Sequence, residues 1–423
     1  MNMIRSFLCI LAVLAAMLSA PAADAKKPLQ LWISSYQDKV YYEEMVKLYR
    51  EKNPKFEANI SAFGFREMPD KLAVAIKTGV NPPDIVQLDE VIFGMYLAGE
   101  VPFVDLTERV KKAKLDKDIL PQRLSLFTYK GKTYGLPQSL SASVLFYRTD
   151  TLEKLNLTIE DLSTWDNFMR VGERLAAKQQ GVIGLDGSYF EILLRQRGSD
   201  WFGRDGKAFP DRKLAVEVLR FLADLGKKGI GRSPDRGSIF DPVFFSGDIA
   251  NEEVFCVIGG EWYGLDMIQQ FSSDLKGKWA VAPLPAWQLG PNKFGPRTST
   301  FAGQGLLIYK GSKLTDEAWK FIEFVMTNPE ANVKRFTGGN SFPAYKPAWK
   351  DERLKQPNEF FNYQNLGELL IDLAPEVPPV VMSPKRPKAV FIFTESFFAQ
   401  VMFGQMTPEQ CIDQMKEILD KEE

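Results

Sequence analysis

With 423 residues, 45% of them hydrophobic and 25% charged, the chain exceeds what one core usually organises, and two domains are expected. Its 53 Lys+Arg nearly cancel 54 Asp+Glu, leaving a net charge of −1 and no broad basic field for nucleic acid. The chain holds no histidine, which excludes Ser-His-Asp and Cys-His catalysis, HExxH zinc sites and imidazole proton shuttles.

Residues 1–25 stand apart from the rest. Arg5 precedes an uncharged apolar run at 7–18, and Ala23-Asp24-Ala25 matches a small-x-small cleavage site. The pattern predicts a secretory signal peptide removed after Ala25. Cys9 sits too early for lipid attachment, behind Arg5-Ser6-Phe7-Leu8. Export means an oxidising compartment, where Cys256 and Cys411 remain after cleavage. Cys256 falls in an apolar run and Cys411 in a helical pattern, so two inert buried thiols are expected, with one disulfide as the alternative.

The first strand is expected at 29–33, followed by the polar turn Ser34-Ser35. Tyr42, Met45, Val46 and Tyr49 then recur at helical spacing up to Asn53-Pro54. Alternation at Phe56, Ala58, Ile60 and Ala62 predicts a second strand. Pro69 opens a helix that turns Leu72, Ala75 and Ile76 inward and stops at Gly79. Residues 84–88 form a third strand, and strands alternating with helices imply parallel βαβ units. Beyond a β-rich passage at 132–148, Thr164 caps a helix carrying Phe168, Val171, Gly172 and Leu175 on one face. A later helix carries Ala215, Val218, Leu219 and Leu222. Strands at 279–284 and 305–308, a helix at 315–327 and a last helix at 408–421 complete the pattern. No long linker divides the chain, so two lobes would be joined by several short crossings, which make hinges.

Five segments, in order, carry a resemblance. They are Asn81-Pro82-Pro83-Asp84-Ile85-Val86-Gln87-Leu88-Asp89; Tyr134-Gly135-Leu136-Pro137 with Val144-Leu145-Phe146-Tyr147-Arg148-Thr149-Asp150; and Phe245-Ser246-Gly247-Asp248-Ile249-Ala250 with Gly260-Glu261-Trp262-Tyr263. Gly303-Gln304-Gly305-Leu306-Leu307-Ile308 with the helix after it, and Phe342-Pro343-Ala344, complete the set. Together they resemble the extracellular solute-binding proteins of ABC importers, in the sugar- and oligosaccharide-binding branch. Glu261 stands where the family often has Pro, and Ile92 where many members have an aromatic residue. The resemblance implies an α/β fold, two-lobed and periplasmic-binding-protein-like, with a ligand cleft between the lobes. It places the first lobe at 26–138 and 285–328, and the second at 139–284 and 329–423. It further implies a periplasmic monomer that binds a small carbohydrate, closes by hinge bending and meets a membrane ABC permease. No enzyme activity, cofactor, metal or nucleic-acid partner is expected.

Sugar sites pair an aromatic ring against C–H faces with fixed polar groups for the hydroxyls. In open α/β sheets such residues lie at the carboxyl ends of strands. Trp262, after an apolar run and a Gly259-Gly260 turn, is the expected stacking platform, with core packing as the competing reading; Glu261 and Tyr263 flank it. Trp32, Ser34, Ser35 and Tyr36 follow the first strand. Asp89 and Glu90 end the third, where an acid either accepts hydroxyls or caps the next helix. Gln138, Ser139 and Ser141 mark the first hinge, and Gln304 offers an amide between two glycines. Arg195, Arg297 and Arg335 complete the candidates, with solvated roles as the alternative. The rival functions are a polysaccharide-acting enzyme, a sensory protein, and the same fold holding a polyamine or another small polar solute. A polyamine would call on the acids Asp89, Glu90 and Glu261.

Overall fold

Alternation places Leu29, Leu31 and Ile33 on one buried face of the Leu29–Ile33 strand. In the computed structural model, which describes residues 27–36, 38–234 and 238–421, that strand pairs in parallel with Ala58–Ala62 on one side and Ile85–Asp89 on the other. The expected signal peptide at 1–25 lies outside the described residues. The Asp38–Lys52 helix buries Tyr42, Met45 and Tyr49 against this sheet. The Met68–Thr78 helix starts with Pro69 in its first turn and ends at Gly79, whose φ of 68° lets its N–H reach Ala75 O. Every residue of Ile85–Asp89 is buried, as a central strand covered on both faces requires.

The sheet is not wholly parallel, as the alternation of strands and helices had suggested. Gln304–Ile308 runs antiparallel beside Ile85–Asp89, and Gly135–Pro137 pairs antiparallel on its far side. The Gln304–Ile308 strand returns from the other lobe and therefore enters from the opposite end. A second sheet is built on Ala142–Arg148, all seven residues buried, between antiparallel Trp279–Pro283 and Cys256–Gly260. Ile183–Gly184 and Gly231–Arg232 extend it. Thr164 caps the Trp165–Ala176 helix through Asn167 N, and Phe168, Val171, Gly172 and Leu175 are buried as expected. A Cβ on Gly172 would lie 2.4 Å from Ile230, so the helix approaches its neighbour only through glycine. Arg212–Lys227 and Pro408–Asp420, the latter opened by a Thr407 capping box, pack together on this lobe.

Each lobe has its own core, one around the second sheet and one on each face of the first. Cys256 and Cys411 are both buried and unpaired. Burial pushes both thiols up, Cys411 to about 12. Among the described residues, no helix is long and apolar enough to cross a membrane.

The chain passes between the two sheets and their cores at, among other places, 138–141, 301–303 and 338–345. These crossings are tied to one another: Leu140 N donates to Phe342 O at 2.8 Å, and Gln138 N to Gln304 O at 2.9 Å. The return to the first lobe comes later than residue 285. Ser299 and Thr300 still pair with Ser143 and Ala142 of the second sheet, and the first sheet is rejoined at Gln304. The Pro329–Thr337 helix also extends past the expected boundary, placing Ala331 in the first lobe's core. Val380 and Met382, far along the chain, pack into that lobe as well.

Candidate functional site

The ends of both sheets face a cavity of about 880 Å³ between the lobes, within the ~300–1,000 Å³ of ligand pockets. Ser34, Ser35 and Tyr36 enter it after the first strand, Asp89 at the end of the third, and Gln138 and Ser139 at the first crossing. Gln304 lines it from the returning strand, and Trp262 from the second lobe. The structure thus brings nine of the expected site residues together: Ser34, Ser35, Tyr36, Asp89, Gln138, Ser139, Gln304, Trp262 and Arg335.

The cleft floor is a pre-formed polar network. Gln87 accepts from Ser34 N at 3.1 Å and donates to Asp38 and, at 3.0 Å, to Gln138 Oε1. Gln138 in turn donates to the Tyr42 hydroxyl. Arg335, also expected and also lining the cleft, donates to Asp38 Oδ1 at 3.2 Å and lies 3.8 Å from the Tyr41 ring centroid. Gln304 Nε2 reaches Ser34 Oγ at 3.3 Å. Such groups are oriented before any ligand arrives, which lowers the ordering cost of binding.

Asp89 caps the next helix, one of the two roles read for it, and it also faces the cavity. Its Oδ1 accepts from Val91 N at 2.9 Å, capping the next helix, while the residue lines the cavity. Burial, with the Glu90 charge, pushes its carboxyl up to about 7. Asp266 is likewise pushed up to about 7 by burial and the Asp38 charge, against a 2.9 Å bond from Asn340 Nδ2. Both acids therefore exchange charge near neutral pH.

Seven expected residues lie elsewhere. Trp32 points to the far face of its sheet, its ring 4.9 Å from Phe63, because alternation sends it opposite to Leu31 and Ile33. Glu90 is buried in an ion pair with Arg386. Tyr263 is fully buried and donates to Ile239 O. Glu261 is buried behind the cleft, where Oε1 accepts from Ser141 N at 2.9 Å. The reason lies in Gly259 and Gly260, which form strand rather than turn and pair with Val144 and Ser143. A Cβ on Gly260 would meet Trp262 Nε1 at 2.5 Å, and one on Gly259 would meet Tyr263 Cβ at 2.7 Å. The glycines let the following turn fold back on the strand, which leaves Trp262, and neither Glu261 nor Tyr263, at the cleft. Trp262 is half-buried, stacked with Phe240 and Phe301, and donates to Phe301 O at 3.3 Å. Ser141 is buried with its Oγ 2.7 Å from Ser139 Oγ, Arg195 sits in a buried ion-pair cluster, and Arg297 pairs with Glu376.

Phe65, Arg66, Asp266 and Asn340 line the cleft unforeseen. Asp266 was legible in principle, since it follows Trp262 by four residues on one helical stretch. Phe65, Arg66 and Asn340 lie in loops without local periodicity.

Gly303, at φ 145°, marks the tightest point of the second crossing. A Cβ there would lie 2.1 Å from Arg123 Nη2, the buried guanidinium that holds Ser139 O at 3.0 Å and Ala302 O at 3.2 Å. Gly303→Ala is expected to lower stability by at least ~1–3 kcal/mol, the scale of backbone strain, before the displaced Arg123 is counted. Denaturant unfolding of the variant beside the wild type checks this, and an unchanged midpoint would contradict it.

The comparisons with known proteins follow the same outline. A family model for bacterial extracellular solute-binding proteins matches residues 34–332. An arabinooligosaccharide-binding protein of Bacillus subtilis (strain 168) is 28% identical over 399 residues, spanning 91% of this chain and 90% of the relative. A lactose-binding protein of Rhizobium radiobacter is 24% identical, spanning 89% and 88%. The crystal structure of an ABC transporter solute-binding protein from Thermotoga lettingae TMO, bound with alpha-D-tagatose, matches with a TM-score of 0.74 at 22% identity, over 93% of this chain and 99% of that one. A two-lobed fold with a polar, aromatic-edged cleft and a family match through both lobes lead to one assignment: the chain belongs to the bacterial extracellular solute-binding proteins.

Proposed function

We propose that this protein holds a carbohydrate, a sugar or short oligosaccharide, between its lobes and presents it unchanged to the membrane permease of an ABC importer. The observation that carries this reading is the pairing of the Trp262 ring from one lobe with the fixed polar set Ser34, Asp89, Gln138 and Gln304 from the other. A pyranose or furanose offers just these two surfaces, C–H faces and a ring of hydroxyls. The names of the relatives, arabinooligosaccharide- and lactose-binding proteins, support the same ligand class. On this reading the chain works outside the cytoplasmic membrane as a monomer, after loss of the signal peptide, and the lobes close on the ligand through the crossings.

A polyamine is the second reading, since Asp89, Asp241 and Asp266 all line the cleft. One feature favours the sugar: Arg66 and Arg335 line the same cavity, and their positive charges oppose a polycation there. A thermal-shift screen with an arabinose oligomer, lactose, a maltose oligomer and spermidine decides between them. At least one sugar is expected to raise the melting temperature at millimolar concentration, as ligand linkage requires. Asp266→Asn is expected to keep that shift within a few-fold in affinity, because an amide still meets hydroxyls. A shift with spermidine alone, abolished by Asp266→Asn, would overturn the carbohydrate reading.

A further inference from the structure

Two buried charged residues, one from each lobe, grip the crossings. Arg123, in the Pro121–Leu124 turn of the first lobe, donates to Ser139 O, to Thr300 Oγ1 and to Ala302 O, so one guanidinium binds the first and second crossings together. Glu261, from the second lobe, accepts from Ser141 N at 2.9 Å, and the Phe342 N–H of the third crossing also faces its carboxylate. The next residue along the chain is Trp262, whose Nε1 is bonded to Phe301 O of the second crossing. Ser141 and Ala302 hold left-handed backbone, with φ of 47° and 57°, which non-glycine residues adopt at a cost. The crossings are thus strained segments fastened by charged side chains, at the points where a hinge would turn.

We propose that Glu261 is a positioning residue for lobe closure: its carboxylate couples the first and third crossings to the Trp262 platform, and its charge sets how firmly they are held. This rests on the reading of a cleft that closes on a ligand.

The surroundings of the carboxylate suit such a control. Oε2 has no hydrogen-bond partner among the described residues, and Glu261 borders a small cavity walled by Phe146, Leu265, Phe336 and Phe361. Burial in this apolar setting pushes the carboxyl up to about 7, against the Ser141 N–H and the Arg123 charge, which favour ionisation. Arg123 is the charged side chain that faces it, and Arg123 in turn feels Glu90, Arg195 and Asp89. Above about 7 the carboxylate holds Ser141 through a charge-assisted bond, roughly twice as strong as a neutral one. Below that pH the bond is neutral and the crossing is freer.

Amide hydrogen exchange on the ligand-free full chain tests this, read on peptides covering 138–142 and 339–343 and corrected for the intrinsic pH dependence of exchange. The wild type is expected to exchange at least threefold faster at pH 5.5 than at pH 8.5 in both peptides. Glu261→Gln is expected to exchange at the faster rate at both pH values, with no step between them. Asp266→Asn and Asp89→Asn, whose carboxylates face Asn340 and Gly303 instead of Ser141, are expected to retain the wild-type step in the 138–142 peptide. A flat wild-type profile overturns the proposal even where Glu261→Gln fails to fold. So does a step in the 138–142 peptide that survives in Glu261→Gln or disappears in either aspartate variant. No ligand is present in this measurement, so its outcome is separate from that of the sugar screen.

Discussion

Trp262→Ala is expected to weaken binding of the sugar found by the thermal-shift screen by ~1.5–3 kcal/mol, the scale of a buried aromatic contact. At about 1.4 kcal/mol per tenfold, that is one to two decades in Kd. The folding cost should be the smaller effect. Trp262 is half-buried and rests against Phe240 and Phe301, whereas truncating a fully buried Trp or Phe costs ~3–5 kcal/mol. Titration calorimetry and a melting curve on the same variant separate the two roles. A large drop in melting temperature with near-normal affinity would return Trp262 to the core and remove the platform.

The largest effect on stability is expected at Arg386, a residue with no visible role from its neighbours in sequence. Its side chain is fully buried, with Nε 2.9 Å and Nη2 2.8 Å from the two Glu90 oxygens and Nη2 2.8 Å from Glu191 Oε2. Glu191 also accepts from Arg195 at 3.1 Å and from Trp201 Nε1 at 2.9 Å. The cluster joins Glu90 of the first lobe to Arg386, Glu191, Arg195 and Trp201 of the second. Arg386→Met strands Glu90 in the interior, and losing one partner of a buried pair costs ~3–5 kcal/mol.

The pH dependence of that loss has a definite sign. Burial alone would raise Glu191, but Arg195 and Arg386 outweigh it and hold the carboxyl below its ordinary value. Stability from a depressed carboxylate is present above the unfolded pKa of about 4.3 and fades as pH falls through the folded one. Without Arg386 the burial of Glu191 weighs more heavily and favours its neutral form, which relieves the variant. The gap in melting temperature between wild type and Arg386→Met is therefore expected to be widest near pH 7 and to shrink towards pH 4. A gap that stays constant would mean packing, rather than charge, holds Arg386. Adding Glu90→Gln to Arg386→Met should recover part of the loss.

Glu90 and Asp89 show where sequence reading stops. Both stood as candidates at one strand end, and the strand and the following turn were legible from the 84–88 apolar run. The chain itself does not say that the second acid turns inward to a guanidinium 296 positions away, while the first turns to the cleft. Trp32 fails for a related reason, since the face it takes depends on which side of the sheet becomes the cleft.

Features that depend on neighbours within a helical turn or a strand pair were readable: the Phe168, Val171, Gly172 and Leu175 face, the Thr164 cap, the Gly79 stop, and Trp262 beyond its strand. The absence of histidine, and with it a whole range of catalysis, was readable too. The tertiary structure alone decided that Ser299 and Thr300 stay with the second sheet, that Gln304–Ile308 runs antiparallel, and that Glu261 is buried against Ser141 instead of lining the cleft. Period and capping arise from backbone geometry within a few residues. Strand partners, burial of charge and the walls of a cleft arise from contacts between segments more than a hundred residues apart, which no local pattern encodes.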